Sequence, residues 1–191
     1  DVSALHALLS SRGIKSIHAP MCRHLAETGG TDRYSQRLFD LLRDGGGRVS
    51  FDPSPLNRPG SATGRLAGGN LAVLGALIST PCDVIKPGTI LFIEDIAEPI
   101  YKVERMLYTL RLNGTLASLG GLIVGQFTRY EPSRDYERME LMIADMIAPY
   151  GYPVAFNAPI GHVSDNMPMV CGDRVTLSVS SREATLTPVR E

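Results

Sequence analysis

The residues in this sequence best suited to chemistry are a carboxylate pair and a histidine. The apolar run Ile90-Leu91-Phe92-Ile93 leads directly into Glu94 and Asp95. Bounded by Gly88, it reads as a strand buried on both faces, and the carboxyl end of such a strand is where open α/β sheets place their ligands. Further on, Gly161-His162-Val163-Ser164-Asp165-Asn166 puts a histidine in a glycine-flanked loop after the apolar segment Pro153-Val154-Ala155-Phe156. A carboxylate that orients an imidazole, which then takes a proton from a hydroxyl, is an arrangement that makes such a hydroxyl nucleophilic at neutral pH. The same residues admit a plainer role, with Glu94 and Asp95 capping the following helix and His162 lying on a surface loop.

Composition narrows the field. A chain of 191 residues, 43% hydrophobic and 20% charged, can bury a substantial core as one domain or one domain with an appendage. A formal charge of −1 supplies no basic field, so neither nucleic acid nor an anionic membrane is an expected partner. No apolar stretch has the length of a bilayer span, and the first residues lack a signal-peptide pattern. Cys22, Cys82 and Cys171 are odd in number and far apart, with no CxxC spacing. They are expected as free thiols in a reducing cytoplasm rather than as a disulfide framework or zinc knuckle. A metal hydrolase built on Glu94, Asp95 and His162 is the weaker alternative, because no H-x-x-x-H or comparable ligand cluster accompanies them. No metal or other cofactor is expected.

The elements that must hold these residues follow from periodicity. A helix is predicted over residues 3–12, with Ala4, Leu5, Leu8 and Leu9 as its buried stripe and Gly13 closing it. A short strand over 14–18 ends at Pro20. A second helix is predicted over 31–43, where Tyr34, Leu38, Leu41 and Leu42 share a face. Residues 49–51 read as a strand, and prolines make 52–60 a connector. Gly68-Gly69-Asn70 opens a helix over 71–78, at a place where free N–H groups suit a carboxylate or phosphate. Ile100, Val103, Leu107 and Leu110 form the buried face of another helix. Residues 119–127 read as a strand, followed by a helix striped by Tyr136, Met139, Ile143 and Met146. From Met167 onward the pattern is β only, with Val175, Leu177 and Val179 alternating inward and Ala184, Leu186 and Pro188 returning as a terminal hairpin. The fold class is therefore α/β with a mixed sheet.

Taken in order, these segments resemble the LD-carboxypeptidases, the serine peptidase family containing murein tetrapeptide carboxypeptidase and the microcin C self-immunity proteins. The resemblance runs through Asp1-Val2-Ser3-Ala4-Leu5-His6, His18-Ala19-Pro20-Met21, Gly68-Gly69-Asn70-Leu71, Leu91-Phe92-Ile93-Glu94-Asp95, Arg105-Met106-Leu107, Gly125-Gln126-Phe127 and Gly161-His162-Val163, nearly the whole chain. The separation of Glu94 and His162, 68 positions, also agrees with the family.

The resemblance implies a Ser–His–Glu triad in which Glu94 holds His162. Family members carry the serine in a G-x-S-D turn, and Asp1 matches its aspartate. The nucleophile is accordingly expected immediately before residue 1, preceded by an N-terminal α/β domain mostly absent from this chain, with the Asp1 backbone N–H as an oxyanion donor. Gly69 and Asn70 are expected to line the cleft and meet the substrate's terminal carboxylate. Residues 1–44 would close the nucleophile domain, 45–68 would form a linker with entry strands, and 69–191 would be the C-terminal domain. Ala19 departs from the family's glycine before proline. The implied activity is release of terminal D-alanine from murein tetrapeptide in peptidoglycan recycling, by a cytoplasmic homodimer acting on a peptidoglycan-derived peptide. An immunity-type amidase acting on a peptidyl-nucleotide is the rival within the family, although the chain has no tryptophan to stack on a base. An inactive peptide-binding module is the rival outside it. His6 and His18 are expected as packed residues and His24 as an unassigned loop residue.

Overall fold

The run ending in the two carboxylates forms an inner strand of a seven-stranded sheet. The structure, a computed structural model, describes residues 2–190. In chain order its elements are α1 (Val2–Ser11), β1 (Ser16–His18), α2 (Cys22–Thr28), α3 (Arg33–Asp44), β2 (Val49–Phe51), β3 (Gly60–Asn70), α4 (Leu71–Leu77) and β4 (Ile90–Ile96). There follow α5 (Ile100–Leu112), α6 (Thr115–Ser118), β5 (Gly121–Thr128), α7 (Met139–Ile147), β6 (Val154–Ala155), β7 (Met169–Cys171), β8 (Arg174–Val179) and β9 (Ala184–Pro188).

The large sheet has the order β2-β9-β8-β3-β4-β5-β6, and β1 pairs with β7 in a two-stranded sheet of its own. β3, β4, β5 and β6 run parallel. From β8 outward the pairing is antiparallel, which makes β3 the strand where the sheet changes sense. The parallel strands are connected through helices and the antiparallel end closes on the β8–β9 hairpin, the mixed α/β sheet expected from the pattern. Leu91 and Ile93 pack with α4, α5 and α7 through Leu71, Val103, Leu107 and Ile143. Ile90 and Phe92 join the opposite core with Leu66, Ile123, Met169 and Leu177. An inner parallel strand covered on both sides in this way is apolar at every position, not alternately.

Several local expectations are corrected. On α1 the inward residues are Ser3, His6, Ala7 and Ser10, while Leu5 of the predicted apolar stripe is 58% exposed. The helix lies so close to the glycines of β3 that only small or hydrogen-bonding side chains fit between them: a Cβ on Gly69 would sit 2.6 Å from Ser3 Oγ, which also accepts the Asn70 N–H at 3.0 Å. On α3, Leu41 is buried but Leu42 is 67% exposed. His24 lies on α2, not in a loop, and Tyr136 precedes α7 instead of striping it. β3 itself is longer than its composition suggests. Its glycines stand where large side chains cannot, since a Cβ on Gly68 would come 2.1 Å from the Phe92 carbonyl oxygen.

That contact generates a matched prediction. Gly68→Ala forces β3 away from β4 and should cost about 1–3 kcal/mol, read as a lower urea midpoint. Gly75→Ala, on α4 with nothing within 4 Å of the added methyl, should instead stabilise by roughly 0.5–1 kcal/mol. Equal midpoints for the two variants would remove the steric account of the glycine run.

Candidate active site

Side chains alternate across a strand, so adjacent carboxylates on β4 must point to opposite faces. Glu94 continues the face of Ile90 and Phe92; Asp95 continues that of Leu91 and Ile93. Both are only 2% exposed. Opposite Glu94 the β4–β5 register shifts, with Ile93 facing Val124 but Asp95 facing Phe127. The extra residue on β5 falls at Gly125-Gln126, a bulge of the kind that re-aims side chains beside functional sites.

On its face Glu94 meets the histidine picked out in the sequence. His162 Nδ1 lies 2.8 Å from Glu94 Oε2. An ionised carboxylate only accepts, so Nδ1 donates and Nε2 keeps its lone pair. The imidazole is 46% exposed whereas its carboxylate is buried. Burial raises the Glu94 pKa, the hydrogen bond and charge of His162 oppose that rise, and neighbouring Asp95 adds to it. A carboxylate withdrawn from water, with an imidazole on one oxygen, is well placed to stabilise an imidazolium when one forms.

The loop bearing His162 is pinned at several points. Gln126 N–H donates to Ile160 O at 2.8 Å, and Met167 N–H closes the loop on Pro159 O. Gly161 has φ +134°, and a Cβ there would stand 3.0 Å from both Glu94 Oε2 and Gln126 O. A side chain at 161 would therefore push His162 off its partner. Asn166 Oδ1 accepts the Gly161 N–H at 3.1 Å and also faces His18 Nε2 at 3.2 Å. A cavity of about 390 Å³ runs beside this loop, lined by Val163, Ser164 and Asp165 together with Arg33, Tyr34 and Gln126.

Asp95 does something different. Its Oδ2 accepts the Ala72 N–H at 3.0 Å, and its Oδ1 accepts from Asn70 Nδ2 at 2.6 Å and from its own neighbour Ile96 N at 2.9 Å. It thus holds the start of the preceding helix, α4. The plainer reading, in which both carboxylates cap the following helix, is corrected: α5 begins after Pro99 with no side-chain cap. Asn70 is the N-cap of α4, with Oδ1 accepting the Val73 N–H at 3.1 Å, and it pairs in register with Glu94 across β3 and β4. Gly69 packs against Ser3. The site residues of the sequence therefore fall into one bonded pair, Glu94 and His162, and a neighbouring frame of Gly69, Asn70 and Asp95. Asp1 lies outside the described residues. Among the described residues no cluster of three His, Cys, Asp or Glu side chains forms a ligand set for a metal.

Sequence reasoning missed Asn166 and the part played by His18. His18 packs edge-on against the Phe92 ring, with centroids 5.4 Å apart, and burial brings its pKa down to about 4 despite the Asn166 contact. His6 bonds through Nδ1 to Ser16 Oγ at 2.8 Å, and burial lowers its pKa too. Both are packed residues, as expected.

The parallel half of a mixed α/β sheet thus carries a bonded carboxylate–imidazole pair at the carboxyl ends of its strands, an arrangement that can accept and return a proton. Residues 63–177 match the family model described as the LD-carboxypeptidase C-terminal domain, and the chain belongs to the LD-carboxypeptidase family. It is 30% identical over 192 residues to the "Probable murein peptide carboxypeptidase" of Bacillus subtilis (strain 168), covering 97% of this chain and 60% of that protein. The crystal structure of muramoyltetrapeptide carboxypeptidase from Oxalobacter formigenes superimposes with a TM-score of 0.86 at 27% identity, over 100% of this chain and 66% of that one. The microcin C7 self-immunity protein of Escherichia coli is 25% identical over 129 residues, 67% of this chain and 38% of that protein. The chain thus spans about 60% of the length of the murein peptide carboxypeptidase it matches.

The histidines make acid sensitivity predictable in sign. An unfolded His18 titrates near 6.5 and the folded one near 4, so as pH falls through that window the unfolded chain takes up a proton that the folded chain refuses. Stability contributed by neutral burial is complete above about 6.5 and lost as pH falls toward about 4. The loss should amount to roughly 1–3 kcal/mol. His18→Gln should flatten this part of the pH profile in urea titrations; curves that stay parallel to wild type would assign the acid limb to other groups.

Proposed function

We propose that this chain is the glutamate- and histidine-bearing part of a serine LD-carboxypeptidase that cleaves the L-to-D bond of a murein tetrapeptide and releases terminal D-alanine. One observation carries the reading: His162 is bonded through Nδ1 to buried Glu94 at 2.8 Å while half its ring remains open to a reacting group. In that geometry Nε2 takes the serine proton as the oxygen attacks the scissile carbonyl, and Glu94 stabilises the imidazolium. Nε2–H then protonates the departing amine. A water activated by the same nitrogen cleaves the acyl-enzyme.

The murein substrate is preferred over a microcin-type one because the murein peptide carboxypeptidase aligns over 97% of the chain and the self-immunity protein over 67%. The proposal extends to a role in peptidoglycan recycling. No helix among the described residues is long and apolar enough to cross a membrane.

The test is steady-state hydrolysis of murein tetrapeptide by the full-length protein. Glu94→Gln and His162→Ala should each lower kcat by roughly 10³- to 10⁴-fold, and the double variant should lose little beyond the worse single one. Glu94→Gln should leave thermal stability intact or raised, since a neutral amide relieves the burial of a charge. Near-normal D-alanine release by either single variant would take that residue out of the mechanism. Loss of activity on chelation, restored by added zinc, would replace the serine reading with metal-assisted hydrolysis.

A further inference from the structure

We propose that His18 and Asn166 form a positioning latch for His162, so that the orientation of the catalytic imidazole is set from both ends by one strand, β4. The inference rests on reading Glu94 and His162 as the catalytic pair, and it concerns residues that act on His162 through Gly161 and Phe92.

The contacts close a circuit. Glu94 of β4 holds His162. The residue before it, Gly161, donates its N–H to Asn166 Oδ1. The same oxygen faces His18 Nε2 at 3.2 Å. The His18 ring rests on Phe92, which returns to β4 two residues before Glu94 and on the same face. His18 is fixed further by the pairing of its backbone with Met169 of β7 and by the His6 ring, whose centroid is 6.0 Å away.

The protons in this circuit are determined. A backbone N–H can only donate, so the Asn166 atom facing Gly161 is the carbonyl oxygen. A carbonyl oxygen only accepts, so His18 must carry its proton on Nε2. Burial keeps that ring neutral at ordinary pH, with its pKa near 4. When His162 becomes an imidazolium, the nearby histidine therefore adds no second positive charge. Asn166 is 7% exposed, so losing a donor from its oxygen is not readily made good by water.

The test compares His18→Phe, which keeps a ring against Phe92 but deletes the donor, with His18→Gln, which keeps an N–H. In the full-length protein His18→Phe should lower kcat for murein tetrapeptide on the order of 10- to 100-fold with KM little changed. His18→Gln should restore most of that loss. Two-bond ¹H–¹⁵N correlation of the imidazoles supplies a readout independent of turnover. The neutral His162 should populate the Nδ1–H tautomer in wild type and His18→Gln, and lose it in His18→Phe. Asn166→Ala, which deletes the acceptor from the other side, should show the same tautomer loss if His18→Phe does not fold. Retention of the wild-type His162 tautomer in a folded His18→Phe or Asn166→Ala protein overturns the latch, whatever happens to activity. A lost tautomer with unchanged turnover supports the latch and overturns the catalytic reading of His162 instead.

Discussion

Two adjacent carboxylates at the end of one buried strand constrain everything around them. Withdrawing an ionised carboxylate from water costs several kcal/mol unless donors replace the lost hydration. Alternation separates Glu94 from Asp95, and each face answers the cost differently. Asp95 collects three N–H donors, two of them from the start of α4 and its cap. Glu94 receives the His162 imidazole, and its pKa remains raised by burial. A carboxylate saturated with donors is a fastener. Glu94, bonded to a partly exposed imidazole, holds a group able to exchange protons at the protein surface, and the neighbouring bulge in β5 and the glycine at 161 make room for it.

The legible parts of the fold are those where one physical cause dominates. β4, the buried face of α5 and the β8–β9 hairpin follow hydrophobic periodicity because burial alone decides those positions. α1 departs from its periodicity because steric closeness outweighs hydrophobicity: with Gly69 against it, the inward positions belong to Ser3, His6, Ala7 and Ser10, and Leu5 faces outward. β3 was obscured for the same reason, its glycines recording contact with Phe92 and Gly88 and leaving no alternation to read. α2 buries no residue, so no apolar stripe announces it.

The candidate site divides along similar lines. Glu94 and His162 were visible because each stands at the end of an apolar segment, where chemistry-bearing side chains interrupt an otherwise buried pattern. The division of labour between Glu94 and Asp95 was not, since both look equally available in sequence and only the position of α4 separates them. The contact between His18 and Asn166 spans 148 positions, and nothing local at either end foretells it. Such long-range polar contacts are specified by topology, here the pairing of β1 with β7, and become legible only once the strands are placed.

The change of sense at β3 has an architectural consequence. Because this strand is bonded to β4 on one side and β8 on the other, it joins a parallel half that carries the bonded pair to an antiparallel half that carries neither member of it. Sequence drift in the turn at residues 180–183 or in β9 reaches the bonded pair through β8 and β3, whereas Ser50 and Phe51 of the edge strand β2 line the cavity beside the His162 loop. The segment after β6 carries His162 itself, and β5 meets it through the Gln126 N–H on Ile160 O. Diversification within such a frame can therefore proceed on the rim that holds the His162 loop while the turn between β8 and β9 accepts insertions, tags or fused partners without displacing the bonded pair.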